Sequence, residues 1–326
     1  MSQPPENTTS GPSIRSLLRV GPAPDLTAID PRGTPGLPGL PDAKQVHRDP
    51  KVWARAELAS LGAELARQQE MLYATVKRAE PGSLAAIRRV LLILQAMDCG
   101  GKDGTIRVVA GALNPQGLAV HAFGPPTAEE LEHNFLWRIR RALPPAGYVG
   151  VFNRSHYEDV LIVRVHSLVP RRTWRARYDA INRFERRLVD DGYALLKVML
   201  HISYGEQRQR LLARLADPTK HWKYNPGDVD ERARWDDYQA AYADALARCG
   251  TDEAPWHVVP ADRKWYRNWA VANLLLETMR DMALTYPKAD FDAETERRRL
   301  EAESGSAQQI PSGKPRRQDE QRMNER

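Results

Sequence analysis

Five short apolar runs recur through the middle of the chain: Val90 to Leu94, Leu118 to Phe123, Tyr148 to Phe152, Leu195 to Ile202 and Trp256 to Val259. Each has the length of a buried strand, and the residues between them carry helical spacing. The spacing is clearest from Thr173 to Leu188, where Trp174, Tyr178, Ile181, Phe184 and Leu188 return every three or four residues until Asp191 and Gly192 close the helix. Strands alternating with helices predict an α/β fold: a mainly parallel five-stranded sheet, covered on both faces, with ligands at the carboxyl ends of the strands. No internal repeat is present.

The pattern fades at both ends. Ten of the 24 prolines fall within residues 1–50, where Gly and Pro interrupt every apolar cluster, so this arm is expected to form no regular elements of its own and to act as a tail or a wrapping arm. From Lys288 onward, Arg, Glu, Gln and Ser dominate and apolar content is too low to offset chain entropy, so residues 288–326 are expected to be a largely disordered polar tail. One catalytic domain over residues 51–287 remains.

Charge and cysteine content narrow the setting. A net charge of +6 and a pI near 9.3 favour an anionic partner without choosing among nucleic acid, lipid and polyphosphorylated molecules. The two cysteines, Cys99 and Cys249, are too few for a disulfide framework and lack metal-site spacing, which suits a reducing compartment. No stretch reaches the roughly 18 apolar residues of a membrane span, and no apolar signal core opens the chain, so a cytoplasmic location without a membrane partner is expected.

Candidate chemistry gathers where apolar runs end. In LLILQAMDCGGKDGTIRVV a strand gives way to a Gly-Gly-Lys loop and then a helix. Backbone N–H groups of Gly100, Gly101 and Gly104 and the charge of Lys102 suit a phosphate, with Asp103 and Arg107 on the helix beside them. The match to G-x-x-x-x-G-K-[ST] is imperfect, since Ala96 replaces the first Gly and Asp103 the hydroxyl residue. Asp98 among phosphate-binding amides would repel the ligand unless a cation lay between them, which argues for Mg2+ at Asp98; capping the following helix is the other role open to it.

A second strand end, FNRSHYEDV, offers Asn153, Arg154, His156 and Glu158 beside that loop. His156 has no histidine partner at metal-binding spacing, and Glu158 serves equally as a helix-starting acid. The junction PADRKWYRN adds Asp262 and Arg263, with Asp262 equally a helix cap. Between them, Arg208, Arg210, Arg214, Lys220 and Lys223 face only Glu206 and Asp217, and Arg210 and Arg214 share a helical face. Like charges so placed either are screened by solvent or bind an anion. The Pro-Gly turn that follows suggests a helical hairpin over about 205–240, a lid, with Trp222, Trp235 and Tyr238 packing its hinge.

Taken together, AMDCGGKDGTIR, FNRSHYEDVL, KHWKYNP and PADRKWYRN, in this order, resemble the family-2 polyphosphate kinases over roughly Arg15 to Tyr286. The resemblance implies a P-loop kinase-like core with a helical lid. It implies Mg2+-dependent transfer of the terminal phosphoryl group between inorganic polyphosphate and adenine or guanine nucleotides, and a homo-oligomer. Carried over by motif, Asp98 and Lys102 belong to the Walker A-like loop and Asn153 and Arg154 to the Walker B-like strand end, where Asn153 replaces an acid many members hold. The FNRSHYED wording is similar to the subgroup that phosphorylates both mono- and diphosphates.

On this reading Asp98, Lys102 and Arg154 are catalytic, and Asp98 holds the metal. Gly100, Gly101, Lys102, Asp103, Gly104, Arg107, Arg208, Arg210, Arg214, Lys220 and Lys223 bind phosphate. Asn153, Arg154, His156, Glu158, Asp262 and Arg263 contact the nucleotide. Two rivals stand beside it: an NTP-dependent small-molecule kinase, and a non-catalytic polyanion-binding protein. The lack of a recognisable nucleic-acid module weighs against nucleic acid as the partner.

Overall fold

Strand β1 (Arg89–Gln95) has no polar face because it is covered on both sides: Val90, Leu92 and Leu94 enter one core cluster, Leu91 and Ile93 another. In the computed structural model, which describes residues 12–37 and 49–306, β1 is the centre of a five-stranded sheet with β2 (Leu118–Ala122), β3 (Val149–Asn153), β4 (Tyr193–His201) and β5 (Trp256–Pro260). The order is β2-β3-β1-β4-β5 and every pairing is parallel. The five apolar runs coincide with these strands. Leu94 lies in register with Asn153 on one side and Val198 on the other, so the chain leaves β1, β3 and β4 side by side at one edge. Since β2 and β3 lie on one side of β1 and β4 and β5 on the other, the strand-end loops part at β1 and open a crevice there.

Helices follow in the order α1 (Ile14–Leu18), α2 (Pro50–Arg78), α3 (Lys102–Val109), α4 (Ala128–Leu131), α5 (Trp137–Arg141), α6 (Ile162–Val165), α7 (Arg171–Asp190), α8 (Tyr204–Ala216), α9 (Gly227–Ala233), α10 (Trp235–Cys249), α11 (Lys264–Asp281) and α12 (Ala293–Ser306). Helix α2 starts at Asp49, whose carboxylate accepts from the Lys51 N–H, with Pro50 in the first turn. It lies against α11, with the Trp53 and Trp269 rings 5.9 Å apart. Helix α7 contains the predicted stretch and buries Tyr178, Ile181, Phe184 and Leu188. Past its cap at Asp191 the chain turns at Gly192 (φ 84°), where a Cβ would lie 2.6 Å from the Ile87 carbonyl oxygen.

The arm departs from expectation. It forms α1 and a 3-10 turn at Leu26–Ala28, capped by Ser13 and Asp25. What local sequence lacks, docking supplies: Ile14, Leu18 and Leu26 are buried in the main core. Glu277 accepts from the Ile14 and Arg15 N–H groups at 3.0 and 2.9 Å. Val20 N–H donates to the Trp256 carbonyl at 3.0 Å, so the arm runs along the outer edge of β5. Residues 1–11 and 38–48 lie outside the described residues.

The expectation of a largely disordered tail is corrected over Ala293–Ser306, which form α12. This helix belongs to a separate compact unit that begins at Pro287, and local terms within the unit support it. Asp292 accepts from the Glu294 and Thr295 N–H groups, and Arg297–Glu294 and Arg299–Glu296 pair at i,i+3. Residues 307–326 lie outside the described residues. No helix among the described residues is long and apolar enough to cross a membrane.

The 205–240 region is helical, with α8, a 3-10 turn at Pro218–Lys223 and α9 in succession. Tyr238 is buried and Trp235 packs edge-on to Tyr204 at 5.2 Å. Trp222, expected in the hinge, is instead 79% exposed at the tip, because the 3-10 turn carrying it has no buried residue.

Candidate active site

The carboxyl end of β1 turns sharply into α3. The Gly100 N–H closes a turn on the Met97 carbonyl at 2.9 Å, Cys99 takes φ 61°, and Gly101 takes φ 107° as the residue before the helix. Glycine is required at 101 because a Cβ there would lie 1.7 Å from Arg267 Nη1. The N–H groups at the start of α3 have no acceptors within the helix and are the anion-binding feature of the turn. Burial pushes the Cys99 thiol up, so it stays protonated.

Lys102 is buried, and its Nζ donates to the Ala96 carbonyl at 2.8 Å, reaching back across the loop it follows. Burial, then the positive charge of Arg154, holds its pKa below the usual lysine value, against the pull of Asp98, Glu158 and Asp103. Arg154 comes from the end of β3 with φ 65°, and its N–H bonds to the Leu94 carbonyl at 3.0 Å. This left-handed residue turns the guanidinium onto the loop, where Nη2 meets Asp98 Oδ1 at 2.8 Å. Asp98, Lys102 and Arg154 therefore occupy one site.

Burial, partly opposed by Arg154 and Lys102, raises the pKa of Glu158. Gln95 holds Glu158 in place: with its amide oxygen toward Ser155, its nitrogen donates to Glu158 Oε1 at 3.1 Å. Asp228 on α9 is also pushed up by burial and then by Asp98. Asp98 adds to the rise in both neighbouring acids, which Arg154 opposes. No group of three metal-ligating side chains occurs among the described residues. A cation that takes one protein carboxylate and fills its shell with phosphate oxygens and water fits this donor set.

Several expected residues have other partners. Asn153 Nδ2 donates to Asp103 Oδ1 at 2.8 Å, and Lys223 Nζ sits 3.7 Å from Asp103 Oδ2, so Asp103 bridges β3 and the 3-10 turn at Pro218–Lys223. Burial works against the ionised form of Asp103, but Asn153 and Lys223 hold its pKa below the usual carboxylate value.

Arg210 is bonded within the protein at every nitrogen. Nε bonds Glu206, Nη1 the Cys99 and Gly100 carbonyls, and Nη2 the Ala261 and Asp262 carbonyls, so its donors are spent clamping the loop to the end of β5. Arg214 bonds the Lys223 carbonyl at 3.0 Å and lies 3.5 Å from Asp228. Arg208, Lys220 and Arg107 are exposed, with Lys220 paired to Asp217 at 2.5 Å.

Two of the expected nucleotide contacts are withdrawn from the cleft. His156 is fully buried, bonding Glu185 at 3.1 Å; that carboxylate also accepts from Tyr157 and Lys197, a network inside the core. Asp262 is buried and takes both the N–H and the hydroxyl of Ser203 at 2.8 Å, holding the cap of α8 rather than capping α11. Arg263 is exposed and lines a different cavity.

Contacts invisible in the sequence complete the site. Gln207 is buried and donates to the Asp98 carbonyl at 2.8 Å while accepting from Arg232 at 2.6 Å, tying α8 and α9 to the loop. Arg267 on α11 lies under Gly101 and Gly104. It stands in the PADRKWYRN motif, one helical turn after Lys264, but nothing in that spacing places it beneath the loop.

Comparison with known proteins agrees with this geometry. The family model described as polyphosphate kinase 2 (PPK2) matches residues 54–287. The chain is 47% identical over 254 residues, 78% of its length and 91% of the relative's, to an AMP/ADP-polyphosphate phosphotransferase of Meiothermus ruber. It is 44% identical over 232 residues, 68% of its length and 77% of the relative's, to an ADP-polyphosphate phosphotransferase of Rhodopseudomonas palustris. The crystal structure of polyphosphate kinase 2 from Arthrobacter aurescens TC1 is similar with a TM-score of 0.82 and 48% identity, covering 89% of this chain and 97% of that one. A glycine-rich turn at the centre of a five-stranded parallel sheet, an arginine and a carboxylate meeting over it and a family match spanning the domain lead to one conclusion: the chain belongs to the polyphosphate kinase 2 family.

Proposed function

We propose that the protein transfers the terminal phosphoryl group between inorganic polyphosphate and nucleoside mono- and diphosphates, AMP and ADP first and guanine nucleotides as well, in the cytoplasm and as a homo-oligomer. The observation that carries this is the meeting of Lys102, Arg154 and Asp98 at the end of the central strand. Phosphoryl transfer asks the protein mainly to position reactants and neutralise charge. A phosphate nucleophile is already ionised, so no dedicated base is needed.

Lys102 follows the transferring group once it exchanges the Ala96 carbonyl for a phosphate oxygen. Arg154 does the same by turning from Asp98 to the equatorial oxygens, worth about 2.7–4 kcal/mol of barrier for a single well-placed donor. That exchange frees Asp98, which would hold a divalent cation, Mg2+, supplying charge neutralisation on the phosphoryl oxygens. Lys223 and Arg214 of the lid face the same space, and closure of the lid excludes water that would otherwise hydrolyse the donor.

The test is direct. Purified protein with Mg2+, polyphosphate and AMP is expected to yield ADP and then ATP. Absence of product from either nucleotide, or turnover only when an NTP replaces polyphosphate as donor, overturns the reading.

A further inference from the structure

Asp-Pro-Arg-Gly at residues 30–33 of the arm is a turn sequence, and it forms one: the Asp30 carboxylate accepts from the Arg32 N–H at 2.8 Å and the Asp30 carbonyl from the Gly33 N–H at 2.9 Å. The turn presents the Pro31 carbonyl outward, where it accepts from the Asp262 N–H at 3.0 Å. Buried His201, at the end of β4, lies between the same two partners. Burial lowers its pKa, opposed by the charge of Asp262 and by hydrogen bonds to the Ile29 and Leu26 backbones. Four residues beyond Pro31, the Pro35 carbonyl accepts from the buried Tyr266 hydroxyl at 2.8 Å, in the first turn of α11.

From Asp262 the contacts continue to the loop. Its carboxylate takes both donors of Ser203, the cap of α8, at 2.8 Å. Ser203 Oγ in turn accepts from the Glu206 N–H at 3.1 Å, and its carbonyl accepts from the Gln207 N–H at 3.0 Å. Gln207 is thereby fixed in the first turns of the helix, and its side chain holds the Asp98 carbonyl at 2.8 Å. A shift at the bond between Pro31 and Asp262 is passed through a single helix cap to the backbone of the residue whose carboxylate pairs with Arg154.

We propose that the turn at residues 30–33 is a positioning element of the active site: through Asp262 and the α8 cap it sets the place of Gln207, and so of Asp98. The inference rests on the phosphotransferase function proposed for the site. The alternative is a staple, an arm that holds α11 and β5 only by burying Ile14, Leu18 and Leu26. A staple needs apolar contact and no polar bond to the junction. The Pro31 carbonyl and the contacts of His201 instead join the arm to the carboxylate that holds the α8 cap. Geometry of this kind matters to rate because displacing a reacting group by about 1 Å can cost about 100-fold.

The test compares two matched changes in the arm: Leu26→Ala beside the junction, and Leu18→Ala in α1, which lies against β5. Both remove a buried leucine from the same core. Steady-state transfer to ADP, corrected for folded fraction, is read alongside amide hydrogen exchange at residues 98–104. Leu26→Ala is expected to lower kcat by about tenfold and to speed exchange at the loop, whereas Leu18→Ala lowers kcat by less than about twofold and leaves loop exchange unchanged. In an L26A/S203A double variant, the arm change should add little to the loss caused by Ser203→Ala, since both act through one cap. Equal losses in the two leucine variants, in step with thermal unfolding, overturn the proposal and leave the arm a staple. Full multiplication of the losses in the double variant overturns it as well. If either alanine variant yields too little folded protein, Leu26→Val and Leu18→Val carry the same comparison at smaller amplitude. A wild type that transfers no phosphate overturns the function proposed above, and loop exchange in the two leucine variants then decides the role of the arm.

Discussion

Arg154 and Arg210 touch the same loop from opposite sides, and they differ in what they have left to give. Arg154 makes one ion pair, to Asp98, with its side chain 35% exposed. Arg210 bonds one carboxylate and four backbone carbonyls, with its side chain 10% exposed. The same contrast recurs among the acids. Glu185 is saturated by three donors in the core, whereas Asp98 faces the cleft and raises the pKa of its acidic neighbours. A buried charge whose bonds are all made within the protein holds the fold. A charge with one exchangeable partner at a strand end is available to a substrate.

The largest effects should separate these two kinds of residue. Lys102→Ala and Arg154→Ala are each expected to lower kcat by about 10²–10³-fold with little change in Tm, measured by steady-state transfer to ADP alongside thermal unfolding. A fall in Tm matching the loss of activity in Arg154→Ala would break the comparison. Glu185→Ala should do the reverse, costing about 3–5 kcal/mol in denaturant unfolding, because Lys197 would be left buried and uncompensated. Arg210→Ala should cost about 2–4 kcal/mol for the carbonyls left unpaired, and its activity loss should track the loss of folded protein.

The next effect concerns the arm. Burial pushes His257, beneath the arm at β5, down from 6.5 to about 4, with the charges of Arg15 and Arg19 adding to it. Between those values the unfolded chain binds a proton that the folded one does not, so stability rises with pH across the window and is lost as pH falls through it. The loss is about 3 kcal/mol at most. Unfolding curves from pH 7 to pH 4 check this, and His257→Gln should show a shallower slope. Burial also lowers the pKa of His201, which adds a slope of the same sign. At the small end, Trp222→Ala should change stability by less than about 0.5 kcal/mol, because a side chain 79% exposed buries little. A larger loss would mean that the lid tip is covered by something else.

Strands, the central loop and the buried stripe of α7 were legible in the sequence because each depends on local pattern. A run such as Val90 to Leu94 has one stable place in an α/β domain, and a Gly-Gly-Lys turn after it has one geometry. Asp98 and Arg154 meet for the same reason, since each follows the end of a strand, and Lys102 opens the helix beside them. The arm helix was not legible, since Ile14–Leu18 is held by Glu277 and by burial in a core built from distant segments. The partners of Arg210, His156 and Asp262 were not legible, because a charge pattern gives residue type and spacing but not which bonds are already made.

Sequence alone thus determined the alternating architecture, the position of the glycine-rich turn and the residue types around it, since backbone periodicity and turn chemistry act over a few residues. Only the tertiary structure decided which charges are free, because that depends on contacts between α8, α11, β3 and the loop, far apart along the chain. It put Arg267 beneath Gly101 and Gln207 on the Asp98 carbonyl. Hydrogen bonds and burial between such distant groups leave no periodic trace in the sequence that encodes them.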